Sequence, residues 1–138
     1  MVAIGFKVYK DKILSGDKRQ TIRPYSEKRY KSLLKNRKLQ LYWKLRTKDC
    51  EFLKEVELKD LFIIKLYSPT NIFEFHSSGY PVGQVFRWDG MKWYMMYPDD
   101  IIDLAKRDGF DSVPEMYEWF RNQYGRKVYD MNFMVIRW

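Results

Sequence analysis

Three residue types at fixed spacing could do chemistry near the start of this chain. "ILSGDKRQTIRP", residues 13–24, places Lys18, Thr21 and Arg23 just after a short apolar run that ends at Gly16. A threonine hydroxyl becomes a nucleophile once something takes its proton. A lysine can take that proton only when neutral, so its pKa must fall through burial or neighbouring cations. Arg19 and Arg23 are the candidate cations. Thr21 and Arg23 lie two apart on an extended segment and so should share a face, with Lys18 in the turn, free to bend towards them. Arg23 would then hold a phosphate or a carbonyl oxygen. The plainer alternative is a solvated basic turn, with Thr21 there for its β-propensity.

A fourth candidate comes from helical spacing. In "DDIIDLAKRD", residues 99–108, Ile101, Leu104 and Ala105 form an inward stripe, and Asp108 continues it seven residues on. Asp108 also falls in the last helical turn, where the macrodipole disfavours negative charge. A frayed helix end, or pairing with a nearby basic chain, is the alternative. Asp99, Asp100 and Asp103 are expected in the first turn, where they favour the dipole.

Charge adds a second signal. The chain of 138 residues has a net charge of +8. Residues 18–38 hold nine Lys/Arg and one acid, Glu27, whereas the remainder holds 17 basic and 17 acidic residues. The excess is therefore one local stripe, the footprint expected for phosphates. A solubilising surface is the alternative.

The rest of the composition narrows the class. With 46% hydrophobic residues and a length suited to one domain, residues 1–138 should share one core. Aromatics at 18% can both fill it and line a surface for planar ligands. Cys50 and His76 are the single cysteine and histidine, which excludes an intramolecular disulfide and a Cys/His zinc cluster. No metal or other cofactor is expected. No apolar run suits a membrane span or a signal peptide, so a soluble, cytoplasmic protein is expected. His76, in "FEFHSSGY", is expected to be structural or solvated, which argues against a nuclease using a histidine base.

The elements that position these residues can be read in outline. "VAIGFKV" is a strand, and "YKDKILS" a short helix closed by Gly16. "QTIRP" is extended, because Pro24 disfavours the α conformation at Arg23. "SEKRYKSLLKN" is a helix capped by Ser26, with Tyr30, Leu33 and Leu34 on one face. "KLQLYWKLR" alternates as a strand, and "EFLKEVELKDLFIIKLYS" holds one or two more. "VFRWDGMKWYMMY" reads as a hairpin with Asp89-Gly90 in a two-residue type I′ turn. A helix over 99–108 ends at Gly109. A second begins at Ser112, with Glu115 completing a capping box; its apolar positions are Val113, Met116, Tyr117, Phe120 and Tyr124, and Gly125 ends it. "MNFMVIRW" is a closing strand inside the sheet. The class expected is α+β, with a strongly twisted or barrel-like sheet and inserted helices.

These motifs resemble a known family. "ILSGDKRQTIR" resembles the opening signature of ASCH domains, Gly-x-Lys-x-x-Thr-x-Arg after a short helix, with Gly16, Lys18, Thr21 and Arg23 in its positions. "IIDLAKRDGFDSVPEMYEWFRNQYG" resembles the second signature: a helix ending in an acid, then Gly-Phe and an amphipathic helix. "FMVIRW" is similar to the closing strand. Residues 26–38 and 70–98 lie outside the likeness. The resemblance implies a PUA-like fold, a small β-barrel with inserted helices, often tied to RNA. It also implies a possible amidohydrolase that deacylates the exocyclic amine of an acylated cytidine. The positions matching its chemistry are Lys18, Thr21 and Asp108, with Asp108 as the acid for the leaving amine. Those enzymes have glutamate at the position of Asp108. A displacement of about 1 Å can cost roughly a hundredfold in rate.

Two functions follow. The favoured one is nucleic-acid binding, with RNA the expected partner. Arg19 and Arg23 sit at the cleft, and Lys28, Arg29, Lys31 and Lys35 on the basic helix contact phosphates. Tyr25, Tyr30 or Trp43 would stack on bases, unless Tyr30 and Trp43 are packed into the core. The alternative is the amidohydrolase, which needs no basic helix.

Overall fold

The computed structural model describes residues 1–67, 74–75, 81–82 and 84–138. The chain runs β1 (Val2–Phe6), α1 (Lys10–Ser15), β2 (Gln20–Pro24), α2 (Glu27–Lys35), β3 (Lys38–Trp43), β4 (Glu51–Glu57) and β5 (Asp60–Leu66). A two-stranded ribbon follows, β6 (Glu74–Phe75) with β7 (Pro81–Val82), then β8 (Val85–Trp88), β9 (Trp93–Met95), α3 (Pro98–Arg107) and α4 (Val113–Tyr124). A 3-10 turn over Gly125–Asp130 leads into β10 (Phe133–Arg137). The fold is α+β, as expected.

The last strand organises the interior. β10 pairs antiparallel with β2 on one side and β5 on the other, inside the five-stranded sheet β2-β10-β5-β8-β9. Successive side chains of a strand point to opposite faces. Phe133 and Val135 enter one core with Ile22, Phe62, Ile64, Leu104, Met116 and Phe120. Met134 and Ile136 enter a second with Ile4, Ile13, Leu33, Leu39, Leu41 and Trp138. A strand buried on both faces has to be apolar throughout, which explains "FMVI". Each such side chain contributes about 1.5–3 kcal/mol on burial. The second core lies under the sheet β1-β3-β4, in which β1 and β3 run parallel.

Several local expectations are corrected. Among the described residues the ladders form these two sheets and the ribbon, and no pairing joins the sheets into a ring. The β8–β9 hairpin exists, but Trp88 pairs with Trp93, which leaves a four-residue connection. Asp89 Oδ1 accepts from the amides of Met91 and Lys92, both at 2.8 Å, and this carboxylate cap replaces the tight two-residue turn. In α2, Ser26 caps the Arg29 amide and Leu33 is buried, but Leu34 is half exposed. The buried stripe is narrower than the helix's apolar content. Asp103 lies beyond the first turn of α3, where it accepts from Arg107 Nε at 2.7 Å. No helix of the described residues is long and apolar enough to cross a membrane. His76 lies outside the described residues.

Candidate functional site: a cationic, aromatic cleft

Alternation along β2 sorts its side chains between the two layers. Gln20 and Ile22 face the helices, and Thr21 and Arg23 face β1. Arg23 donates through Nε to Thr21 Oγ1 at 2.9 Å and through Nη2 to the Gly5 carbonyl at 2.5 Å. Thr21 and Arg23 therefore share a face, as their spacing requires.

Lys18 is not a free turn residue. It is 3% exposed, and its ammonium donates to the Asp108 carbonyl at 2.6 Å and lies 3.3 Å from Asp108 Oδ2. The turn before β2 is held by Lys18 N to Lys12 O and Arg19 N to Arg107 O, both 2.9 Å. These bonds clamp the turn to α1 and to the end of α3 and direct Lys18 inward. Burial pushes the Lys18 amine below its ordinary value, opposed by Asp108 and reinforced by Arg23 and Lys12. Arg19 does not contribute: its side chain is exposed and does not line the cleft.

Asp108 is buried, as the stripe argument requires, and it is paired rather than frayed. It caps α3, and the next residue, Gly109, takes φ +102° to turn the chain. Gln20 completes the arrangement and has no counterpart among the sequence candidates. Fully buried, its amide nitrogen donates to Leu104 O at 2.9 Å and to Asp108 Oδ1 at 3.1 Å, and its oxygen accepts from Arg137 Nε at 2.9 Å. A glutamine flanking the motif threonine, on the opposite strand face, was the available signal.

Lys18, Thr21, Arg23 and Asp108 line one cleft of about 510 Å³, within the size range of small-ligand sites. Arg29, Lys7 and Arg46 add to its cationic side, and Asp108 is the one acid of the lining among the described residues. Phe6, Tyr9, Phe110, Trp119 and Tyr124 supply five aromatic rings. Tyr9 packs edge-on against Phe110 with centroids 6.0 Å apart. The Arg23 guanidinium lies 5.2 Å from the Phe6 ring and the Lys18 ammonium 5.8 Å from it. Burial raises the Tyr9 and Tyr124 phenols above their ordinary value, so both remain hydrogen-bond donors.

The basic helix divides in two. Arg29 turns into the cleft and donates to the Ala3 carbonyl at 3.0 Å. Lys28, Lys31 and Lys35 are exposed, and Lys31 pairs with Glu27 at 3.0 Å. Tyr25 is partly exposed, with its ring 5.7 Å from that of Tyr30. Tyr30 and Trp43 pack against the second core instead of standing free, and neither lines the cleft. Sequence reasoning missed Trp119 and Tyr124 as site residues: Tyr124 follows the spacing of the core stripe, and Trp119 fell outside that stripe.

Among the described residues no group of acids, histidines or cysteines could hold a metal. No protein-family model matches the chain, and searches of curated proteins and of solved structures yield no significant match.

Proposed function

We propose that this protein is a nucleic-acid-binding domain of ASCH-like, PUA-like type that draws a base of single-stranded RNA into the cleft. The observation that carries this reading is the cleft's makeup among the described residues: five cationic side chains, one acid and five aromatic rings around about 510 Å³. Aromatic faces stack on unpaired bases at about 1–3 kcal/mol each, and cations track the backbone. The exposed Lys28, Lys31 and Lys35 share α2 with Arg29, which lines the cleft, and Tyr25 lies between β2 and α2. The test is a titration of fluorescent single-stranded RNA over rising salt. Binding whose logarithm falls linearly with the logarithm of salt is expected; no binding at low salt would refute the reading.

A second reading rests on the buried Lys18, lowered in pKa beside Thr21 and Asp108 in one cleft. Neutral Lys18 would take the Thr21 proton as Oγ1 attacks an acyl carbon, and Asp108 would protonate the departing cytosine amine. Water would then release the acyl group from Thr21 as the acid. Deacetylation of cytidine acetylated on its exocyclic amine, lost in Thr21→Ala, would establish this activity. The ion pair weighs against it: an ammonium bound to two oxygens of Asp108 has little tendency to act as a base.

A further inference from the structure

Two guanidiniums in the cleft have no ion-pair partner among the described residues, although the Asp108 charge favours Arg23 without contacting it. Arg23 and Arg29 both line it, and their positive charges are close enough to disfavour one another. Their acceptors are neutral: the Thr21 hydroxyl, the Gly5 carbonyl and the Ala3 carbonyl. Arg29 Nε is buried without a hydrogen-bond partner among the described residues. Asp108, the one acid of the cleft among the described residues, is already held by Lys18 and Gln20. Among the described residues no carboxylate forms an ion pair with either guanidinium. Partly buried cations normally have a partner, since desolvating a charge without one is costly. An anion supplied by a ligand would provide such a partner.

The charge indicates which anion. An internal phosphodiester carries one negative charge. A terminal phosphate monoester carries about −1.5 to −2 at pH 7 and presents three acceptor oxygens. Two adjacent guanidiniums, each offering planar N–H donors, match the second better. The aromatic wall of Tyr9, Phe110, Trp119 and Tyr124 leaves room beside them for a base.

We infer that the cleft accepts a nucleotide through a terminal phosphate monoester, held by Arg23 and Arg29, with the base against the aromatic wall. The source is either a free nucleoside monophosphate or the phosphorylated end of a strand. This rests on the nucleic-acid reading of the same cleft and specifies what that cleft selects.

Calorimetric titrations would test it, using cytidine and adenosine, their 5′- and 3′-monophosphates, and a five-nucleotide RNA with either a phosphate or a hydroxyl at each end. For at least one position, removal of the terminal phosphate should weaken binding tenfold or more. Arg29→Gln should cut that difference to under threefold, and Arg29→Lys, which keeps the charge but loses the planar fork, serves as a second variant should Arg29→Gln unfold. Tight monophosphates with weak RNA would assign the free nucleotide as ligand and sink the nucleic-acid reading alone. Tight RNA that is indifferent to its ends would keep that reading and overturn this one. Equal binding of nucleosides and monophosphates would overturn it as well.

Discussion

The Lys18 ammonium and the Asp108 carboxylate meet 3.3 Å apart, although 90 residues separate them in the chain. This contact ties the turn before β2 to the end of α3 and forms part of the cleft lining. Breaking one side of a buried pair leaves an uncompensated charge. Asp108→Asn should therefore destabilise the fold by about 3 kcal/mol. The double variant Lys18→Met/Asp108→Asn should recover a substantial part of that loss. Urea denaturation of the single and double variants measures both, and equal losses would contradict the pairing.

Stability should also respond to pH through Lys18. Its folded value lies below the ordinary 10.5, with burial the largest cause. Between the folded value and 10.5 the unfolded chain binds more protons, so stability rises with pH across that window. Below it, the cost of a buried ammonium is fully present. Lys18→Met lacks this titration. The stability of wild type relative to Lys18→Met should climb as pH approaches 10.5. The raised phenols of Tyr9 and Tyr124 act in the opposite direction but are present in both proteins, so the comparison largely cancels them. A difference that stays flat with pH would refute the lowered value.

The salt dependence of RNA binding should separate the basic residues. Lys28→Ala and Lys35→Ala should each reduce the slope of log affinity against log salt by about 1. Lys31→Ala should reduce it less, because Glu27 already offsets Lys31. Arg19→Ala should change it little, since Arg19 sits on the turn held to the end of α3 and not on the basic helix α2. Equal effects at all four positions would point to diffuse attraction instead of a defined path.

Gly109 is constrained twice. Its φ of +102° disfavours any side chain, and an added Cβ would lie 3.3 Å from Tyr9 Cδ2. Gly109→Ala should cost about 2 kcal/mol from backbone strain alone, and it should also displace Asp108 or Tyr9. A thermal melt gives the first effect, and weaker ligand binding by the variant that remains folded gives the second.

Much of this architecture was legible because its signals are local. The Ser26 and Ser112 caps, the Gly16 and Gly109 turns and the unbroken apolar run "FMVI" each act within a few residues. Asp108 was legible too, since one carboxylate on an inward stripe breaks the helical pattern. What the sequence left hidden depends on tertiary contacts. Nothing local says that Lys18 reaches across to Asp108, or that Gln20 bonds to it. Nothing local separates Arg29, which enters the cleft, from Lys28, which stays in solvent. Tyr124 follows the same spacing as the core residues Met116 and Phe120, Trp119 lies beside that stripe, and only the packed molecule shows which rings meet the cleft. The hairpin turn was misjudged because the Asp89 carboxylate, by binding two amides, stabilises a longer connection.

The central claim is that RNA enters the cleft, and ultraviolet crosslinking of single-stranded RNA followed by mass spectrometry of the peptides tests it most directly. A competing platform exists, since Trp93, Tyr94 and Tyr97 are exposed around β9 on the far edge of the five-stranded sheet. Crosslinks at Tyr9, Phe110, Trp119 or Tyr124, lost when Arg23 and Arg29 are both changed to Gln, are the predicted result. Crosslinks confined to Trp93, Tyr94 and Tyr97, and unaffected by that double variant, would contradict it.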